Sequence, residues 1–258
     1  VLRRAVPRAL VDELAAAAGR IQRSVRRLPA PLRSRLVLER DLPPDRRDFV
    51  PAQAVGEAIF IIGDPVAFST VFWRVLEQPG VVAALRQAIG APALVAHFMN
   101  VTIKQARFGR AIGWHRDFPN RYACPASPRF ARLMIPLDGM TGQGGATLAL
   151  PGSHRAGGEA EPFAAGATSI PEGAVIRTIR CNPGDLVVIH PMLLHGGGMN
   201  RSAKPRRNLL LQAGEAGLPL LHRPSPEGVL GRRVAASPIR GPTPQSFVRR
   251  PLRIRGAR

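Results

Sequence analysis

Lysine is almost missing from this chain: of 37 basic residues, all but Lys104 and Lys204 are arginine. Cysteine is as scarce, with Cys124 and Cys181 alone. Two cysteines outside any CxxC exclude a disulfide framework and fit a reducing compartment. Aromatic residues make up only 5% of the chain, with one tyrosine, which argues against a surface of rings that stacks nucleobases. No apolar run approaches the roughly 18 residues needed to span a bilayer, so a membrane is not an expected partner. The first twenty residues carry arginines but no apolar h-region, and Asp12 and Glu13 weigh against a transit peptide. A cytoplasmic location is expected.

Acidic residues are also few, 17 against 37 basic, for a net charge of +20. Residues 223–258 hold nine arginines against one acid, Glu227, and so contribute +8 of that total. Much of the charge therefore belongs to a Pro-, Gly- and Arg-rich tail. A nucleic-acid substrate is the alternative the charge suggests; it requires steeply salt-dependent binding that survives removal of residues 223–258. With so few aromatics to line a basic groove, nucleic acid is not the expected partner.

What is present is enough apolar material, 45% of 258 residues, for one domain with a filled core. Leu10, Leu14 and Ile21, with Ala17 and Ala18, share one face of a predicted helix over 7–26. Residues 40–57 are charged and Pro-rich and read as a loop of the kind that covers or binds a substrate. A second helical pair is predicted from an Asp64 N-cap and from "QPGVVAALRQAIG", which ends on Gly90. From Leu94 the pattern changes to short strands: "LVAHFMNVTI", "AIGWH", "RLMIPL", "ATLAL", "AVIRTIR", "DLVVIH" and "RNLLLQ". Helices followed by many short strands predict a mainly β fold, a barrel or double sheet with helices outside. The boundaries are 1–92 for the helical part and 93–222 for the core of one domain, with 223–258 as the tail.

The stretch "AIGWHRDFPN" places His115 and Asp117 two residues apart, hence on one face of a strand. Two ligands hold a first-row metal weakly, so a third is required. "GDLVVIHPMLLHGGGMNRSAKPRRNLLLQ" offers His190 and His195. A glycine-rich turn and Arg206 follow His195, and Arg206 could present a planar fork to a carboxylate near the metal. Two imidazoles and one carboxylate on one face leave adjacent positions open, the arrangement used by non-haem Fe(II) oxygenases.

In order, "WHRD", "LDGM" leading to "PGSHR", and "GD" followed by "HGGGMNRSAKPRR" resemble the phytanoyl-CoA dioxygenase family of Fe(II)/2-oxoglutarate oxygenases, over roughly Leu94 to Gln212. The resemblance implies a double-stranded β-helix, or jelly-roll, with iron on His115, Asp117 and His195 and the far carboxylate of 2-oxoglutarate on Arg206. It implies O₂ as the other co-substrate and hydroxylation of an unactivated C–H bond in a small-molecule substrate, a free amino acid or biosynthetic intermediate, with 2-oxoglutarate decarboxylated to succinate and CO₂. An acyl-CoA or carrier-bound substrate and a non-catalytic jelly-roll are the other readings. Asp117 stands where related halogenases carry a small residue, which favours hydroxylation.

One departure concerns the co-substrate. Family members often carry HGS where this chain has His195-Gly196-Gly197, so a hydroxyl is missing at Gly197; Ser202 or Thr147 is expected to replace it. Gln105 and Thr102 are further candidates for 2-oxoglutarate. Trp114, Arg116, Asn120 and Arg132 are candidates for the substrate, with Arg116 and Arg132 suited to a substrate carboxylate. His154 is expected to brace a turn.

Overall fold

Alternation along three long strands sets the architecture. In the computed structural model, which describes residues 1–48, 50–155, 170, 172–225 and 228–235, the strands are β1 (Leu36–Leu38), β2 (Ile59–Gly63), β3 (Leu94–Lys104), β4 (Ile112–His115), β5 (Cys124–Pro125), β6 (Phe130–Pro136), β7 (Thr147–Ala149), β8 (Arg177–Thr178), β9 (Val187–Ile189), β10 (His195–Gly197), β11 (Arg206–Glu215) and β12 (Leu220–His222). A six-stranded sheet has the order β1-β2-β3-β11-β6-β9, and a four-stranded sheet the order β4-β10-β7-β8. β5 and β12 form a separate pair. The two larger sheets are the layers of a jelly-roll, as predicted.

Val101 and Ile103, Leu133 and Ile135, and Leu209 and Leu211 are fully buried on one face of the large sheet. Helices α1 (Arg8–Ser24) and α4 (Pro79–Ile89) cover that face with Leu10, Leu14, Val81 and Leu85; α2 (Ala30–Arg33) and α3 (Ala52–Val55) are single turns. Each such burial contributes on the order of 1.5–3 kcal/mol, so this interface carries most of the stabilisation. The alternate positions, Thr102, Lys104, Arg132, Asn208 and Gln212, are also buried but polar. Register follows from this two-faced pattern: β11 pairs Asn208 with both Thr102 and Pro136, and a slip of one residue would exchange the faces.

Four expectations are corrected. The part before residue 93 is not wholly helical, since β1 and β2 extend the main sheet. Asp64 does not cap an α-helix: it has φ 46°, its carboxylate pairs with Arg35, and the chain beyond it forms 3-10 turns, Pro65–Ala67 and Thr70–Glu77. His195–Gly197 is a strand, not the start of a turn. Past residue 222, Val229 and Val234 are buried, and Val234 N donates to Leu94 O at 3.1 Å, so residues 228–235 pack along β3; the expected tail from 236 onward lies outside the described residues. Among the described residues, no helix is long and apolar enough to cross a membrane.

Candidate metal centre

β4 and β10 are antiparallel neighbours, and their register sets His195 directly across from His115. The two rings face each other with centroids 4.2 Å apart. Asp117 lies just past the end of β4, where its backbone N donates to Pro191 O at 2.8 Å and turns the carboxylate back toward both rings. His115 Nε2 is 3.7 Å from Asp117 Oδ1, and His195 Nε2 is 3.7 Å from Oδ2. One ligand atom from each residue can be chosen so that all lie within 4.8 Å of one another.

The hydrogen bonds behind the rings select the tautomer. His115 Nδ1 lies 2.8 Å from Gly113 O and His195 Nδ1 lies 2.9 Å from Leu193 O. A carbonyl only accepts, so each Nδ1 carries the proton and each Nε2 presents a lone pair to the centre. Burial, with His195 close by, lowers the His115 pKa to about 4, so the ring is neutral at physiological pH and needs to lose no proton to bind a cation. Asp117 is 1% exposed; Oδ1 is engaged by the Arg132 guanidinium, and Oδ2 has no hydrogen-bond partner. A buried carboxylate with both oxygens aimed between two imidazole lone pairs is costly to leave so. It fits a divalent first-row ion, with the remaining coordination positions free for other ligands.

Arg132 holds the carboxylate from behind. Its Nη1 forms an ion pair with Asp117 Oδ1, and Nη2 donates to Tyr122 Oη at 2.5 Å and to Gln212 Oε1 at 2.9 Å. The guanidinium also lies 5.1 Å above the Phe98 ring. Burial opposes its charge, but Asp117 and Tyr122 outweigh that, and the net shift of its pKa is upward.

The centre lies in the wall of a cavity of about 340 Å³ between the two sheets, lined also by Thr102, Arg132, Met134, Thr147 and Leu210. The sequence profile of the phytanoyl-CoA dioxygenase family matches residues 1–208. The chain belongs to this family of Fe(II)/2-oxoglutarate-dependent oxygenases. A curated relative, L-proline trans-4-hydroxylase of Streptomyces griseoviridis, is 27% identical over 169 residues; the match covers 56% of this chain and 63% of the relative, so just under two thirds of the relative's length is represented. Among solved structures, EctD from S. alaskensis with bound Fe aligns with a TM-score of 0.64 at 20% identity, over 89% of this chain and 79% of that one. The epimerase SnoN, solved with Fe3+, alpha ketoglutarate and nogalamycin RO, aligns with a TM-score of 0.61 at 19% identity, over 96% and 91% of the two chains. At these identities the structural likenesses establish the jelly-roll fold.

Within that fold, the structure brings some of the family-implied residues together and disperses others. His190 is not beside the centre: it is exposed, and its ring lies 5.1 Å from His154, whereas His195 is grouped with His115 and Asp117. Thr102 and Thr147 line the cavity. Gln105 does not: its Nε2 is used by Ile59 O at 2.7 Å. Ser202 is also elsewhere, its hydroxyl bonded to Asn200 Oδ1 at 2.7 Å and facing a separate cleft. Arg116 braces two loops through Ser153 O and Met192 O. Asn120 is folded into its own turn, accepting from Ala123 N at 2.7 Å, and thereby presents Tyr122 to the cavity. Trp114 lies in a neighbouring cleft of about 490 Å³ with Arg46 and Pro43 from the 40–57 loop; that cleft shares Phe60, Ile112 and His115 with the metal cavity.

Arg206 opens β11 on the inward face, 5% exposed, with Nε donating to Gly144 O at 3.0 Å and Nη2 to Gly145 O at 2.9 Å. Gly145 is required there: at φ +68°, a Cβ would stand 2.5 Å from Gly198 O. Lys104 and Gln212 are buried polar residues that the sequence reading passed over. The signal was available: Asn100, Thr102 and Lys104 alternate as polar residues through an otherwise apolar strand.

Proposed function

We propose that the protein hydroxylates an unactivated C–H bond of a small metabolite, foremost a free amino acid, while 2-oxoglutarate is decarboxylated to succinate and CO₂. The carrying observation is the convergence of His115, Asp117 and His195, with Asp117 Oδ1 paired to Arg132 and Oδ2 lacking a hydrogen bond, beside a cavity that both histidines line. Those three residues would hold Fe(II), and Arg206 would take the far carboxylate of 2-oxoglutarate. When bound there, Fe(II) and 2-oxoglutarate would together supply the O₂-dependent oxidation of the substrate.

The chain's own residues bind, orient and exclude water. Gly113 O and Leu193 O hold the imidazoles in the metal-binding tautomer. Arg132 pairs with one oxygen of the Asp117 carboxylate and so holds it beside the two imidazoles. Met134, Ile189 and Leu210 provide an apolar wall that keeps water from the reacting carbon. A volume of about 340 Å³ is at the low end for small-molecule sites, which supports a modest metabolite over a whole CoA or a nucleic acid. Arg46 and Trp114, beside His115 in the adjoining cleft, give a cation and a ring suited to a substrate carboxylate and its apolar side. The proline hydroxylase relative supports an amino acid in particular.

The test is a succinate assay with Fe(II), 2-oxoglutarate and each of the twenty amino acids, proline first, followed by mass analysis of the product. Substrate-stimulated succinate with a gain of one oxygen in the amino acid is expected. Stimulation only by an acyl-CoA, or by no metabolite, would contradict the amino-acid reading.

A further inference from the structure

Four arginines lie along or beside the metal cavity and its neighbouring cleft, and three are already engaged. Arg132 is held by Asp117, Arg110 by buried Glu39 and by Pro43 O at 2.8 Å, and Arg116 by the carbonyls of Ser153 and Met192. A substrate carboxylate, expected at Arg116 or Arg132, therefore finds neither guanidinium available. Arg46 differs from all three. Its side chain is 35% exposed, and among the described residues its one charged partner is Asp45, 3.8 Å from Nε, so the edge formed by Nη1 and Nη2 has no protein acceptor.

Backbone contacts fix where that edge stands. Arg46 O accepts from Ala111 N at 2.6 Å, Asp48 pairs with Arg201, and Arg110 holds Pro43 O, so the loop is tied down on both sides of Arg46. A Cβ added at Gly113 would stand 3.2 Å from Arg46 Nη1 and 3.5 Å from Cζ. The guanidinium thus occupies the seat a side chain at 113 would take. Residues i and i+2 of a strand share a face, so this seat is on the face of His115, about 7 Å along β4. Phe60, Ile112 and His115 line both the cleft that contains Arg46 and the metal cavity, so a small molecule can reach from one into the other.

We propose that Arg46 anchors the carboxylate of the substrate and makes the enzyme selective for a free acid over its amide, ester or thioester. This deepens the amino-acid reading above and rests on it. A planar fork binds a carboxylate through two parallel charge-assisted hydrogen bonds, whereas the carbonyl of an amide or thioester offers one uncharged acceptor. Asp45 lines the same cleft and offers the opposite charge to an α-ammonium, so two consecutive residues match the two charges of an amino-acid head group. With the head group in the outer cleft and the metal ligands beyond the junction, oxidation is directed to the side chain rather than the α-carbon.

The experiment measures 2-oxoglutarate-dependent succinate formation by the Fe(II)-loaded protein with an equimolar pool of the twenty amino acids and, separately, with the pool of their α-carboxamides. Wild type, Arg46→Met and Arg46→Lys are compared. Wild type should half-saturate with the acids at a concentration about tenfold or more below that for the amides. In Arg46→Met the value for the acids should rise on the order of 10- to 100-fold, while the value for the amides and the maximal rate stay close to wild type. Arg46→Lys keeps the charge without the fork and should recover part of the preference. A wild type that takes amides as readily as acids overturns the inference whether or not the variants fold, as does an Arg46→Met protein that keeps the acid preference. Stimulation by neither pool overturns the amino-acid reading itself, an outcome distinct from both.

Discussion

The two faces of the six-stranded sheet share the same strands and nearly the same burial, yet they are built for different ends. Toward the helices, Val101, Leu133 and Leu209 belong to the hydrophobic core and carry no polar side-chain group to satisfy. Toward the smaller sheet, Thr102, Lys104, Arg132, Asn208 and Gln212 are equally shielded from water but polar, and Asp117 Oδ2 and Asn208 Oδ1 lack hydrogen-bond partners. One face is apolar throughout, while the other keeps buried polar groups beside the candidate metal centre. Stability and function are thus separated by one residue along each strand.

Substitutions test that separation. The largest effect is expected from His195→Ala, which should abolish iron-dependent turnover while the melting temperature stays within a few degrees; His190→Ala should keep turnover and cost about 1 kcal/mol or less of stability. A reversal in paired turnover and melting assays would move the metal ligand to His190. Leu133→Ala, on the helix face, should cost about 2–5 kcal/mol in urea denaturation yet leave Fe(II) affinity of the folded fraction intact. Arg132→Met strikes both: with the Asp117 carboxylate left unpaired, stability should fall by about 3–5 kcal/mol in the metal-free protein and metal affinity by about 10- to 100-fold, both measurable by titration and denaturation.

A smaller effect follows from pH. Burial lowers both His97 and His115 to about 4, whereas in the unfolded chain each has the ordinary value of 6.5. Between those values the unfolded state binds more protons, so their cost is absent above pH 6.5 and grows as pH falls toward 4. The urea midpoint of the metal-free protein should be lower at pH 5 than at pH 7, and His97→Gln should flatten the slope. Least affected should be Ser202→Ala, whose hydroxyl serves its own turn: the 2-oxoglutarate Kd should remain within twofold of wild type.

The grouping of His115, Asp117 and His195 was legible because its parts are local or strongly spaced. The HxD pair follows from i, i+2 geometry, and His195 and Arg206 are set by one short segment. Legibility ended where partners come from distant segments. β1 and β2 are short and lie among helical turns; β2 is a strand on the edge that β3 offers, and β1 on the edge that β2 offers. Ser202 and Gln105 have the right chemistry near the right motifs, but the first is captured by Asn200 and the second by Ile59 O, neither of which spacing reveals. Arg132 could be read as a polar residue on a buried strand, yet its pairing with Asp117 depends on how the loop after β4 folds back.

The most direct test of the central claim is anaerobic titration of the metal-free protein with Fe(II) and then 2-oxoglutarate, following the visible metal-to-ligand charge-transfer band in wild type, His195→Ala and Leu133→Ala. The band should appear in wild type and in folded Leu133→Ala at one Fe(II) per chain, and be lost in His195→Ala. A folded wild-type protein that shows no band, or a His195→Ala variant that keeps it, would contradict the assignment of the inward face to iron and 2-oxoglutarate.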